Sequence, residues 1–208
     1  VTTFAIIGHG PSPEGRGWGR KIDRCDHVVR MFNCGWQATE DYGCRYDAGV
    51  LTADARTIAW LHERPVRKPE SWWIYSPGGS VFTVKGDAPC ELITMAEHGP
   101  RGVVGAEMVD GKFAYTRGTA AVLHAIGKRP DMVVLVGMDD VAGGLFGRVA
   151  YPEACRSEMS LKPDLFAGEP RPTGETRSEC HDLSIERQMI YHTAREFDVR
   201  VVTAQEVW

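Results

Sequence analysis

Three short stretches of this sequence carry residue types and spacings that could do chemistry. The first is Gly8-His9-Gly10-Pro11-Ser12, directly after the apolar run Phe4-Ala5-Ile6-Ile7. Glycines at such a turn let a ligand approach the backbone closely, and the exposed amides can hold a phosphate. The dinucleotide fingerprint fails because Pro13 stands where its third glycine belongs, and no Gly-Lys-Ser/Thr follows to complete a P-loop. Taken alone, the turn serves a bend as readily as a ligand. The second stretch is Tyr115-Thr116-Arg117-Gly118-Thr119, which opens the apolar run Ala120–Ile126. Hydroxyls and amides at a helix start suit an anionic group, and the same residues make an ordinary threonine N-cap.

The third is His181-Asp182-Leu183-Ser184-Ile185-Glu186, with apolar positions Leu183, Ile190, Ala194 and Phe197 forming one face of a helix. His181 then lies at or just before the helix start. The positive end of the helix dipole disfavours imidazolium, which leaves the neutral form that a general base needs. Five residues along a helix turn a side chain by about 500°, so His181 and Glu186 do not share a face. Glu186 is therefore expected to be structural rather than a partner that orients His181. His62, His98 and His192 belong to no pattern and read as surface residues.

The elements that must position these residues alternate in the manner of an α/β protein. Strands are expected at Phe4–Ile7, His27–Met31, Asp47–Leu51, Trp72–Tyr75, Met132–Val136 and Arg200–Val202. Helices are expected at Ala55–Glu63, Ala88–Glu97, Thr119–Ile126 and Asp182–Phe197. Met132-Val133-Val134-Leu135-Val136 is apolar throughout, so it reads as a central strand buried on both faces. Gly137 and Met138-Asp139-Asp140 follow it, where open α/β sheets bind ligands. Trp72-Trp73 reads as a core strand or an interface. The stretch 141–180 is rich in Gly, Pro, Glu and Arg and weakly periodic; a connection of that length is expected to be a lid or acceptor-side insertion.

The 208 residues suit one domain, 1–208, with a sizeable core. Hydrophobic residues make up 43% and charged residues 25%, the composition of an ordinary globular protein. A net charge of -4 gives no general attraction to nucleic acid or to anionic membrane. No apolar run reaches the roughly 18 residues that would span a bilayer, and the opening residues form a strand-like run rather than a signal-peptide pattern. Six cysteines are scattered without a Cys-x-x-Cys pair, which supports neither a zinc site nor a redox motif; reduced thiols are expected over a disulfide.

Taken in order, these stretches resemble the sialyltransferases. Gly8-His9-Gly10-Pro11-Ser12, then Gly15-Arg16-Gly17-Trp18-Gly19-Arg20-Lys21-Ile22-Asp23, then Arg30-Met31-Phe32-Asn33 are similar to the large nucleotide-binding motif of the eukaryotic-type sialylmotif family. They are also similar to the opening of the small bacterial members, where Gly-Asn-Gly-Pro-Ser follows the first strand. His9 replaces the family's asparagine, and Asn33 arrives one residue late because Phe32 is inserted. Thr116-Arg117-Gly118-Thr119, with the strand ending at Gly137, looks like the small motif, and His181 and Glu186 match the family's His and Glu spaced by five.

The resemblance implies a Rossmann-like, open, mostly parallel α/β sheet flanked by helices, a single-domain GT-A-like variant. It implies an inverting, metal-independent transfer from a CMP-sugar, sialic acid or a related keto-sugar, to a glycan or other hydroxyl-bearing acceptor, with no cofactor. Gly8, His9, Gly10, Ser12 and Asn33 would bind donor phosphate and ribose. Thr116, Gly118, Thr119 and Gly137 would complete the nucleotide site, and His181 would be the base. Tyr151 falls in the long connection, where the family places an aromatic or histidine that assists phosphate departure. The sequence has no Asp-x-Asp, the signature with which metal-dependent transferases hold a diphosphate. Asp131 or its neighbours stand where eukaryotic members carry the second cysteine of a pair, which implies a cytoplasmic enzyme of bacterial or viral type. Three rivals stay open: transfer of another nucleotide-sugar to a modified nucleobase or other acceptor, a nucleotide-binding module without turnover, and a hydrolase acting on a nucleotide or sugar phosphate. A basic stripe near Arg16, Arg20, Lys21 and Arg24 would favour a nucleic-acid acceptor.

Overall fold

A computed structural model describes residues 1–8, 10, 12–31, 39–52, 69–75, 89–93, 116–138 and 183–208. Among the described residues seven strands form the centre: β1 (Thr3–Ile7), β2 (His27–Met31), β3 (Ala48–Thr52), β4 (Ser71–Tyr75), β5 (Cys90–Ile93), β6 (Met132–Val136) and β7 (Arg200–Thr203). They lie in one sheet in the order β5-β4-β3-β2-β1-β6-β7, and every pairing is parallel. From β1 the chain steps outward through β2 to β5, then crosses back to place β6 and β7 on the other side of β1. The order reverses between β1 and β6, where Thr3 pairs with Met132 and Ile7 with Val136. In an open sheet, the crevice at the carboxyl ends of two such strands is where ligands bind.

The fold expectation holds: this is an open, parallel α/β sheet. Side chains alternate between its faces, as strand geometry requires. Phe4, Ile6, Val133 and Leu135 join one core with the long helices α3 (Arg117–Gly127) and α4 (Leu183–Glu196). Ala5, Ile7, Val134 and Val136 join the opposite core with Trp18, Ile22 and Tyr42, from around the short helices α1 (Gly19–Ile22) and α2 (Thr39–Tyr42). The turn-like helix α5 (Ala204–Val207) closes that second face. Burial on both faces is why β6 is apolar at every position. Helix α3 is buried from Thr119 to Ile126, so it forms part of the core and has no solvent side over that span.

One element differs from expectation. Ala88–Glu97 was expected to be helical, but Cys90–Ile93 is the edge strand β5, with Trp72 opposite Cys90 and Tyr75 opposite Ile93. A four-residue run holding two large aliphatics fits either state by periodicity. The open edge of β4 decides it, since its backbone groups need partners. Trp72 and Trp73 are core residues of β4, each 4% exposed. The expected helix Ala55–Glu63 and the stretch 141–180 lie outside the described residues. Among the described residues no helix is long and apolar enough to cross a membrane. Burial pushes the Cys25 thiol up to about 11.

Candidate active site

The site is built from where β1 and β6 end. The Gly8 amide donates to the Val136 carbonyl at 2.8 Å, and the Gly10 amide donates to the Gly137 carbonyl at 2.7 Å. The two loops thus continue the parallel pairing beyond the strands. Gly8 is forced by that approach, because a Cβ there would overlap the Gly137 carbonyl and stand 2.7 Å from Met138 Sδ. Gly137 has φ +59, a left-handed conformation that a side chain would strain. Met138 is buried and also reaches the second stretch, since a Cβ on Gly118 would lie 2.8 Å from its Cε. Gly8, Gly10, Gly137 and Gly118, from three separated parts of the chain, therefore converge at the switch point.

Helix α3 begins at the same edge. Thr116 is its N-cap, and the Thr116 hydroxyl accepts the Thr119 amide at 3.2 Å. A carboxylate from α4 joins them. Glu186 accepts the Thr116 amide at 2.9 Å and the Thr116 hydroxyl at 2.7 Å, and it also accepts the Thr119 hydroxyl. Glu186 and Thr119 are both wholly buried.

No family model matches the chain, and no curated protein matches it in sequence. Solved structures do match it in shape. The monofunctional alpha-2,3-sialyltransferase Cst-I from Campylobacter jejuni superposes with a TM-score of 0.58 at 13% identity, over 98% of this chain and 75% of that one. A mammalian sialyltransferase superposes with a TM-score of 0.50 at 16% identity, over 96% of this chain and 68% of that one. The chain has a sialyltransferase-like fold.

Within this fold, the Gly15–Asp23 stretch is held by carboxylates. Asp41 of α2 accepts the amides of Gly15 and Gly17, each at 2.8 Å. These bonds hold the Asp41 carboxyl below its ordinary value. Asp23 accepts the amides of Arg45 at 2.8 Å and Cys44 at 2.9 Å. Burial alone would raise the Asp23 carboxyl, but these hydrogen bonds outweigh it and the net direction is down. Arg30, 4% exposed within β2, donates from Nε to the Arg45 carbonyl and from Nη2 to the Tyr42 carbonyl, both at 2.7 Å. The Tyr42 hydroxyl in turn donates to the Gly10 carbonyl at 2.9 Å. A buried guanidinium on β2 thus sets the segment that holds the first glycine turn.

Of the site residues named from sequence, Gly8, Gly10 and Gly137 meet directly, Gly118 joins them through Met138, and Thr116 and Thr119 stand at the same edge against Glu186. Ser12 lies half-buried where the chain turns away after Gly10. His9, Asn33 and His181 lie outside the described residues, as does Tyr151. Sequence reasoning missed Tyr42, gave Arg30 no role, and placed Met138 at the strand end without its packing against Gly8 and Gly118. An arginine inside the apolar run Val28-Val29-Arg30-Met31 was itself a signal, since a guanidinium in a core strand requires acceptors. His192 is a surface residue 3.4 Å from Glu196, as expected. Among the described residues no three His, Cys, Asp or Glu side chains come together to hold a metal.

Proposed function

We propose that this chain is a glycosyltransferase that moves a sugar, sialic acid or a related keto-sugar, from a CMP-sugar donor to an acceptor hydroxyl. The observation that carries the reading is the meeting of the Gly8–Gly10 turn, Gly137 and the start of α3 at the switch point of a sialyltransferase-like sheet. Backbone approach at Gly8, Gly10, Gly118 and Gly137 would admit the nucleotide, with His9, Ser12 and Asn33 at its phosphate and ribose. Thr116, whose amide and hydroxyl Glu186 takes, would shape the edge of the nucleotide site at the helix N-terminus. Thr119, wholly buried, would shape the turn from inside.

In this reading His181, two residues ahead of α4, takes the proton of the acceptor hydroxyl. The acceptor oxygen then forms a bond to the anomeric carbon as the bond from that carbon to the CMP phosphate oxygen breaks, and CMP leaves with the electron pair. One displacement inverts the configuration. CMP is a monophosphate leaving group, so amides and hydroxyls suffice for its charge and no metal is required.

The test is calorimetric titration with CMP, with UDP, GDP and NAD as controls and no added metal. CMP-selective binding is the expected result. Preference for another nucleotide would discard the donor while keeping the site. His181→Ala should lower transfer by about two to four orders of magnitude while leaving CMP affinity nearly unchanged. Near-normal transfer would remove His181 from the mechanism.

A further inference from the structure

We infer that Glu186 is a positioning residue that locks the donor turn to the helix following the proposed base. Its carboxylate takes three donors from one turn of chain: the Thr116 amide, the Thr116 hydroxyl and the Thr119 hydroxyl. These partners are 67 to 70 residues away in sequence, so the bonds are entirely tertiary. Glu186 is wholly buried and lies one turn inside α4, which begins at Leu183 just after His181. Thr116 and Thr119 frame Gly118, which packs on Met138 beside the Gly8–Gly137 junction. The carboxylate therefore fixes where helix α4 begins relative to where α3 begins, and with it the spacing between the base segment and the nucleotide turn. It also places a negative charge at the positive end of α3, where the dipole stabilises it. A hydrophobic residue would fill the same space but would strand three donors. The inference rests on the proposed donor site only for its functional consequence.

Hydrogen exchange on the full chain tests it, together with CMP titration. Glu186→Gln keeps the shape but faces donors with an amide that is itself a donor. Exchange at the Thr116 amide and across the first turn of α3 should rise about tenfold or more, matching the loss of a charged hydrogen bond. Amides of β1, which report global opening, should rise only by the stability that a denaturant titration shows to be lost. CMP should bind about tenfold more weakly. Thr119→Val should reproduce both effects, Thr119→Ser should restore them, and Glu186→Gln with Thr119→Val should cost less than the two single changes added. A Thr116 amide that stays as protected as in the parent, or additive effects in the double variant, would overturn the coupling and leave Glu186 a general stabiliser. If the parent chain binds no CMP, the donor assignment fails, and exchange at Thr116 still decides the lock.

Discussion

Each end of helix α3 is held by a glutamate from a distant part of the chain, and the two carboxylates live in different surroundings. At the N-terminal end, Glu186 is wholly buried and accepts from neutral donors of Thr116 and Thr119. At the C-terminal end, Glu91 of β5 is 40% exposed and meets cationic or basic groups, with His124 Nε2 at 3.0 Å and Lys128 Nζ beside it. The helix dipole explains the contrast. Its positive end welcomes a carboxylate bonded to neutral groups, while its negative end repels one unless a cation sits between. The first arrangement lies at the carboxyl edge of the sheet and bears on the site. The second fastens the edge strand β5 at the opposite end of the helix and bears on stability.

Several measurements break or sharpen that contrast. The largest effect is expected from Glu186→Ala, which strands an amide and two hydroxyls and should cost about 3 kcal/mol in a denaturant titration. A loss below about 1 kcal/mol would put the two ends on equal terms. Next comes Gly8→Ala, which forces a methyl against the Gly137 carbonyl and Met138. It should cost about 2 kcal/mol and weaken nucleotide binding together with stability. Normal stability would mean that the β1–β6 junction relaxes and tolerates the methyl group.

Glu91→Gln should cost at most about 1 kcal/mol, because the pair with Lys128 is exposed to solvent. Salt separates it from the other end. At 1 M the screening length falls to about 3 Å, so the Glu91 effect should fade while the buried Glu186 effect persists. The smallest effect is in pH. Burial alone would raise the Glu91 carboxyl, but hydrogen bonds and charge from Lys128 and His124 hold it below its ordinary 4.5. Its contribution is therefore complete above the unfolded value and is lost as pH falls through the lower folded value. The stability difference between parent and Glu91→Gln should be flat above pH 5 or so (about one half-unit above the unfolded value) and should shrink below it. A difference that grows on acidification would reverse the sign of the interaction.

Much of the sheet was legible beforehand. His27–Met31 and Met132–Val136 fall where their apolar runs placed them, Asp47–Leu51 is shifted by one residue to Ala48–Thr52, and the other expected strands are off by one residue at an end. Helix α3 starts two residues ahead of its expected Thr119, because Thr116 caps it. The glycine turn after β1 and the glycine after β6 were legible as breaks where the backbone can be approached closely. That they touch each other was not, since no local pattern reports that β6 lies beside β1. The helix expected at Ala88–Glu97 failed for the same reason, because the vacancy beside β4 is a property of the sheet and not of those residues.

The sequence by itself determined the period of each strand, the buried character of β6, the breaks at Gly8 and Gly137, and the helix that follows His181. These follow from side-chain patterning and backbone freedom within a few residues. Only the tertiary structure decided that Cys90–Ile93 is a strand and that Arg30 steadies Tyr42 and through it Gly10. It alone decided that Glu186, expected to be structural, is bound to Thr116 and Thr119. Such partners are chosen by which buried donors and acceptors the packed sheet and helices bring within reach, and a buried polar group must find one wherever in the chain it lies.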